Sequence, residues 1–373
     1  MDVDSFAASR PASRPAARAA RTGLPAAIFG ARPVQAGAGG SATAGIAPAG
    51  SGPAGVRGSR RRIRNRVLAA IVVVPVLAFV AWALASNARL FFVTFLNGLT
   101  LAALYFLVAS GFTLIFGLMR NVNLAHGSLY LLGAYAGWIV GDASGSWLLA
   151  VAVGFLTAAV LGLFLQVAVF RFMQGQDLRQ TMVTIGISIV LADLMLWAFG
   201  GEIYTFDPPA WMYGATRLPV VNAYSTFRLL LLLASVVIGV LLWLFLNRTR
   251  VGMMIRAGVD DRTMLSASGV NVQLVFAITF AIGAGMAGFA GVVGGTALSI
   301  APGEDTRYLL ASLIVVIVGG MGSVPGAAVG ALLIGMAEQF GITYAPTYGI
   351  VFTFVIMVLT LAVRPQGILG KAK

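Results

Sequence analysis

Long apolar runs recur along the chain from Val67 onward, separated by short polar or glycine-rich interruptions. Runs of about 20 apolar residues predict helices that cross a hydrocarbon layer roughly 30 Å thick at 1.5 Å per residue. Ten spans follow, at residues 67–85, 91–116, 127–141, 147–170, 181–199, 228–246, 273–298, 308–320, 324–340 and 348–363. The fold class is an all-α polytopic membrane protein with about 8–10 transmembrane helices. The stretches near 117–127 and 319–326 are short and broken by Gly, Asn or Pro, so re-entrant segments are the alternative to full spans there.

Composition agrees with a bilayer as the solvent. Of 373 residues, 59% are apolar and 10% charged, where a soluble domain carries about 25% charged residues. Mean hydropathy is +0.93. The net charge of +13 raises nucleic-acid binding, which the placement of the charges argues against. Most Arg residues lie in the first 66 residues or in short loops between apolar runs, as the positive-inside rule requires, and no basic groove is interleaved with aromatics. Residues 1–56, rich in Ala, Arg, Ser, Pro and Gly, read as a disordered cytosolic tail. Its make-up also resembles a transit peptide, the plainer alternatives being a dispensable tail or a start codon assigned too early. A basic juxtamembrane segment follows at 57–66, and the membrane domain occupies 67–373. With a cytosolic start, ten Lys and Arg beyond the tail fall inside and four outside, so both termini are expected in the cytosol.

Chemistry on a substrate is not indicated. Cysteine is absent and His126 is the single histidine, which removes disulfides, thiolate nucleophiles and a zinc site from Cys or His. No P-loop occurs, GILGK at Gly367–Lys371 having the wrong spacing, and there is no HExxH or GxSxG. No catalytic residue, metal or cofactor is expected, and any ATP must be hydrolysed by another chain.

Three interruptions carry the functional expectations. In Gly117–Tyr135, the polar residues Arg120, Asn121, Asn123, His126 and Ser128 stand between two apolar runs. Such residues are costly at membrane depth unless they face a cavity, protein or water. Either they line a translocation path, with Ser128 near a helix N-cap, or they form a cytosolic turn. The segment Gly319–Gly330 breaks a second hairpin with Gly319, Gly320, Gly322 and Pro325. Paired interruptions of this kind point to a pathway, although no clear sequence repeat joins the halves. The longest cytosolic loop, about 248–272, mixes Met253, Met254, Ile255, Met264 and Leu265 with Arg and Asp, which suits a short amphipathic helix. Asp260 and Asp261 are expected near its start and Gly269 at its end. Docking to a cytosolic partner suits the Met-rich face; an interfacial helix on lipid is the alternative. The small residues Gly283, Gly288, Gly291 and Gly295 predict close helix packing, within the chain or across a dimer.

Four of these segments, NGLTLAALYFLVASGFTLIFGLMRNVNLAHGSLYLLGAY (Asn97–Tyr135), RAGVDDRTMLSASGVNV, VVIVGGMGSVPGAAVGALLIGMAE (Val315–Glu338) and RPQGILG (Arg364–Gly370), together resemble permeases of the branched-chain (hydrophobic) amino acid ABC importer family. The resemblance covers about residues 90–370 and implies a type II importer permease. It also implies a second homologous permease, two cytosolic ATP-binding cassette ATPases, a periplasmic substrate-binding protein, and a place in the bacterial inner membrane with no nucleic-acid partner. Its cargo would be branched-chain or other hydrophobic amino acids, or urea or amides. By position, Arg256, Val259, Asp260, Asp261, Met264 and Gly269 would belong to the coupling loop seated on the ATPase. The binding protein would dock near 201–227 and 300–307. Two departures are the tail, which typical members lack, and Ser266 and Ser268, where many members carry Ala or larger apolar residues. A stand-alone secondary transporter or channel is the competing reading, weakened because Asp193 and Glu338 are the only acids within spans.

Overall fold

A computed structural model describes residues 54–119 and 122–370, with side chains from Val74 onward apart from Ile350. Residues 1–53 of the expected tail, Arg120, Asn121, Lys371 and Lys373 lie outside the described residues. The chain divides at Ala69 and Ala70, and every side-chain contact described below lies within the second unit.

Eleven α-helices make up the described residues: α1 (Ala54–Met119), α2 (His126–Ser144), α3 (Trp147–Ala168), α4 (Asp177–Phe199), α5 (Thr226–Arg248), α6 (Arg250–Asp260), α7 (Arg262–Ala267), α8 (Val272–Ala297), α9 (Glu304–Gly319), α10 (Val324–Tyr344) and α11 (Gly349–Val363). Six are long and apolar enough to cross a membrane. Each predicted span coincides with a helix or an arm of one. The first two spans are arms of α1, separated at Asn87, where the backbone leaves the helical region (φ −160°, ψ 90°). The Asn87 side chain then accepts the Leu90 N–H at 2.9 Å, which caps the second arm. Ser146, Asn271 and Ser323 cap α3, α8 and α10 in the same way. Strand structure is confined, among the described residues, to a two-residue hairpin in the α4–α5 connection and a bridge between Tyr204 and Ile300.

Helix α8 is the centre of the bundle. Its Gly-rich face lies against α1, α2 and α3, and the expected close packing is therefore within the chain. A methyl group on Gly283 would sit 2.7 Å from the Gly111 carbonyl of α1, and one on Gly291 would collide with the Tyr130 carbonyl of α2. Only hydrogen fits there, so backbones touch and dispersion contacts replace the hydrophobic effect that lipid does not supply. Around this centre Phe112, Phe276, Phe280, Leu104, Leu107 and Leu129 are fully buried.

Depth follows from helix rise. Tyr105 lies 14 residues before the end of α1, so it stands about 20 Å from that end, some two-thirds of the way across a layer roughly 30 Å thick. Helix α9, at 16 residues, spans about 24 Å, so its first turn, carrying Asp305 and Arg307, lies towards the opposite end of the bundle from Gly319.

Candidate functional site

The two predicted breaks meet. The turn between α9 and α10 holds Gly320 (φ 113°) and Gly322 (φ 79°), conformations that an L side chain adopts only with strain. A methyl group on Gly322 would lie 3.4 Å from Gly117 Cα near the end of α1. Gly319 in turn rests on the Gly326 carbonyl, with no room for a side chain. The final segment closes over this turn: Ile368 N–H donates to the Val318 carbonyl and Leu369 N–H to the Gly319 carbonyl, both at 2.9 Å.

The long loop reaches the same place. It forms two helices rather than one, because Asp261 breaks the run and caps α7, its Oδ1 accepting the N–H groups of Thr263 (2.8 Å) and Met264 (3.1 Å). Asp261 therefore opens a helix as expected, whereas Asp260 is the last residue of α6 rather than near a helix start. Gly269, with φ 82°, follows the end of α7. Arg262 ties the loop to the bundle: its Nη2 donates to the Leu118 carbonyl at 2.6 Å, and its guanidinium lies 4.9 Å from the Phe276 ring centroid. A last-turn carbonyl of α1 thus gains a charged donor. Leu265 of α7 is buried, while Met253, Arg256, Asp260, Asp261, Met264 and Gly269 stay exposed and Val259 is half-buried. Four segments far apart in sequence converge on one end of the bundle, called here the junction end.

Asn123, His126 and Ser128 are brought together, but in packed protein. Their exposures are 3%, 0% and 0%. Helix α2 begins at His126, two residues earlier than Ser128, because the Asn123 carbonyl accepts the His126 N–H (3.2 Å) and its side chain accepts the Ala125 N–H (3.2 Å). Ser128 is consequently not an N-cap and shares a 2.9 Å hydrogen bond with Ser188 of α4. His126 Nε2 lies 3.1 Å from the Val108 carbonyl, at a depth well inside α1, with its ring edge-on to Phe112. Among the described residues no group of three or more His, Asp or Glu is placed to hold a metal ion.

The family model for the permease component of branched-chain amino acid transport systems matches residues 94–361. The chain belongs to this permease family. The high-affinity branched-chain amino acid transport permease BraD of Pseudomonas aeruginosa is 30% identical over 291 residues, covering 74% of this chain and 94% of BraD. LivH of Escherichia coli, of the same description, has the same identity and coverage. A probable LivH of Methanocaldococcus jannaschii is 25% identical over 281 residues, 71% of this chain and 88% of that protein. No solved structure matches. The chain is a multi-pass membrane permease component of an ABC importer.

This permease also carries a polar cluster that sequence reasoning did not select. Glu338 of α10, 8% exposed, accepts the Tyr105 hydroxyl at 2.7 Å and lies 3.6 Å from Arg307 of α9. Arg307 is 3.4 Å from Glu304 as well. Tyr130 stacks on Tyr308 with centroids 4.2 Å apart, walling the cluster from α2. Nearby, Asn97 of α1 accepts from both Tyr224 (3.1 Å) and Arg228 (2.9 Å). The one signal in the sequence is an acid inside a span, Glu338, while its cation Arg307 falls in the segment 300–307 expected to receive the binding protein.

Proposed function

We propose that this permease moves branched-chain or other hydrophobic amino acids into the cytoplasm, as half of the membrane channel of an ATP-driven importer. A second homologous permease completes the channel, two ATP-binding cassette ATPases drive it, and a periplasmic binding protein delivers the cargo. Urea and amides are the other solute class considered. The observation that carries the reading is the convergence of the α1 end, the α6–α7 loop, the Gly319–Gly322 turn and the final segment at one end of the bundle.

The junction end faces the cytosol of a bacterial cell, with both termini on that side, a placement supported by the ten-to-four distribution of Lys and Arg. Helices α6 and α7 seat in the ATPase through Arg256, Val259, Asp260, Asp261, Met264 and Gly269. Exposed methionines suit an adaptable contact of this kind. Closure of the ATPases on ATP pushes α7, and Arg262 passes that movement to the end of α1. Asn121, Asn123, His126 and Ser128, with Gly319, Gly320 and Gly322, then part as the inner closure of the path. ATP drives the cycle because it binds the closed ATPase pair more tightly than the open one. On the opposite side the binding protein docks on the segments 201–227 and 300–307.

Reconstitution tests this. In proteoliposomes holding the permease pair, leucine uptake is expected only when both ATPases, ATP and a loaded binding protein are supplied. Uptake at an undiminished rate without the ATPases overturns the reading in favour of a stand-alone carrier.

A further inference from the structure

A cavity of about 220 Å³ opens between α1, α5, α8, α9 and α10 at the end away from the junction. Asn97, Arg228, Arg307 and Gln339 give it polar walls, and Leu104 and Ile342 are among its aliphatic ones. Arg228 is half-buried, and its Nη1 donates to Asn97 Oδ1 at 2.9 Å. Asn97 Oδ1 is also taken by Tyr224, whose hydroxyl lies 2.9 Å from Thr100, so the oxygen is a fixed mount for the arginine rather than a counter-charge.

Among the described residues no carboxylate lies within 4.0 Å of Arg228; the two ion pairs found both belong to Arg307. A guanidinium has five N–H donors, and one is committed to Asn97. Arg228 is the third residue of α5, whose first turn contains no acid, so the positive end of the helix dipole adds to its charge. A cation held this way inside a membrane protein normally has a partner. Arg307, on the opposing helix, is 43% exposed by its side chain, and its contacts with Glu304 and Glu338, at 3.4 and 3.6 Å, are longer than the 2.7–2.9 Å of tight charged hydrogen bonds. Donors of both arginines are therefore available to the cavity.

We infer that this cavity is a station for the amino acid in transit, with the Arg228 guanidinium, backed by Arg307, holding its α-carboxylate while its branched side chain lies on the aliphatic wall. The inference rests on the functional reading above. Planar, bidentate recognition of a carboxylate is the task for which arginine is suited.

The test uses the full reconstituted importer with leucine-loaded binding protein and variants Arg228→Gln and Arg228→Lys. Gln339→Glu, close in shape, offers the cavity a carboxylate of its own. Leucine uptake is expected to fall at least tenfold in Arg228→Gln and in Gln339→Glu, and to fall less far in Arg228→Lys, which keeps the charge but loses the planar fork. Stimulation of ATP hydrolysis by the binding protein should persist in all three. Uptake within twofold of wild type in both Arg228→Gln and Gln339→Glu overturns the inference, and the functional reading survives. Loss of uptake accompanied by weakened docking of the binding protein, matched by the exposed Arg217→Gln, also overturns it by making Arg228 a docking residue. A wild-type assembly that moves no branched-chain amino acid overturns the functional reading, and this inference with it.

Discussion

The two ends of the bundle differ in what stands beside their glycine contacts. At the junction end, glycines let backbone touch backbone at the Gly319–Gly322 turn, and Arg262 ties the loop to Leu118. At the other end such contacts persist, Gly341 lying against Gly349, but a cavity opens beside them with Arg228 and Arg307 in its walls, Arg307 being paired with Glu304 and Glu338. Close-packed backbone passes displacement without slack, since a well-packed interface has few intermediate arrangements. Fork-shaped cations suit recognition of a carboxylate. On the proposed reading, coupling and recognition occupy separate ends of one chain, and variants at the two ends should fail in different ways.

The largest effect is expected from Gly319→Val. Its side chain would enter the space of the Gly326 carbonyl, and neither helix has a soft neighbour to yield. Overpacking of this kind costs about 1–3 kcal/mol, occasionally more. The yield of monodisperse permease should fall severalfold, and its unfolding midpoint in detergent should drop. Near wild-type stability would show that the junction is looser than its backbone contacts indicate, and would weaken the contrast between the ends.

Much of this architecture was legible in the sequence, for a physical reason. Bilayer thickness fixes helix length, so the spans at 147–170 and 228–246 lie within two residues of the bounds of α3 and α5. Gly319–Gly330 announced a break because glycine and proline change the backbone locally. Apolarity did not reveal which helix is central: α5 is the most apolar of the candidate spans, yet only 17% of its window is buried, against 78% for the less apolar α8. Lipid selects for greasy surfaces, whereas close packing selects for small residues. Sequence alone also missed the ion cluster. Tyr105, Arg307 and Glu338 meet through tertiary packing of α1, α9 and α10, and no spacing rule connects residues 233 positions apart. Ser128, expected near an N-cap, is the third residue of α2, because the Asn123 turn starts the helix at His126.

Arg262→Ala comes next in size. It removes a charged hydrogen bond to the Leu118 carbonyl and a cation–π contact with Phe276, worth about 1.5–3 and 0.5–1 kcal/mol respectively. Because α7 remains capped by Asp261, the loop should still dock on the ATPase. The expected result is normal basal ATP hydrolysis, loss of its stimulation by loaded binding protein, and a roughly tenfold fall in leucine uptake. Retained stimulation with normal uptake would remove Arg262 from the coupling route.

Tyr105→Phe should have the smallest effect and sharpens the contrast from the other side. The substitution leaves the ring in place and deletes the hydroxyl that donates to Glu338 Oε2 at 2.7 Å. Glu338, 8% exposed, then relies on Arg307 alone, and a buried hydrogen bond to a charged group is worth about 1.5–3 kcal/mol. Glu338 and Arg307 should draw closer to recover part of that loss, which withdraws Arg307 donors from the cavity. Leucine uptake is therefore expected to fall two- to fivefold, with stimulation of ATP hydrolysis by the binding protein unchanged. That pattern is the reverse of the one expected for Arg262→Ala, where stimulation disappears. If Tyr105→Phe instead abolished stimulation, the ion cluster would belong to the coupling route, and the division of labour between the two ends would fail.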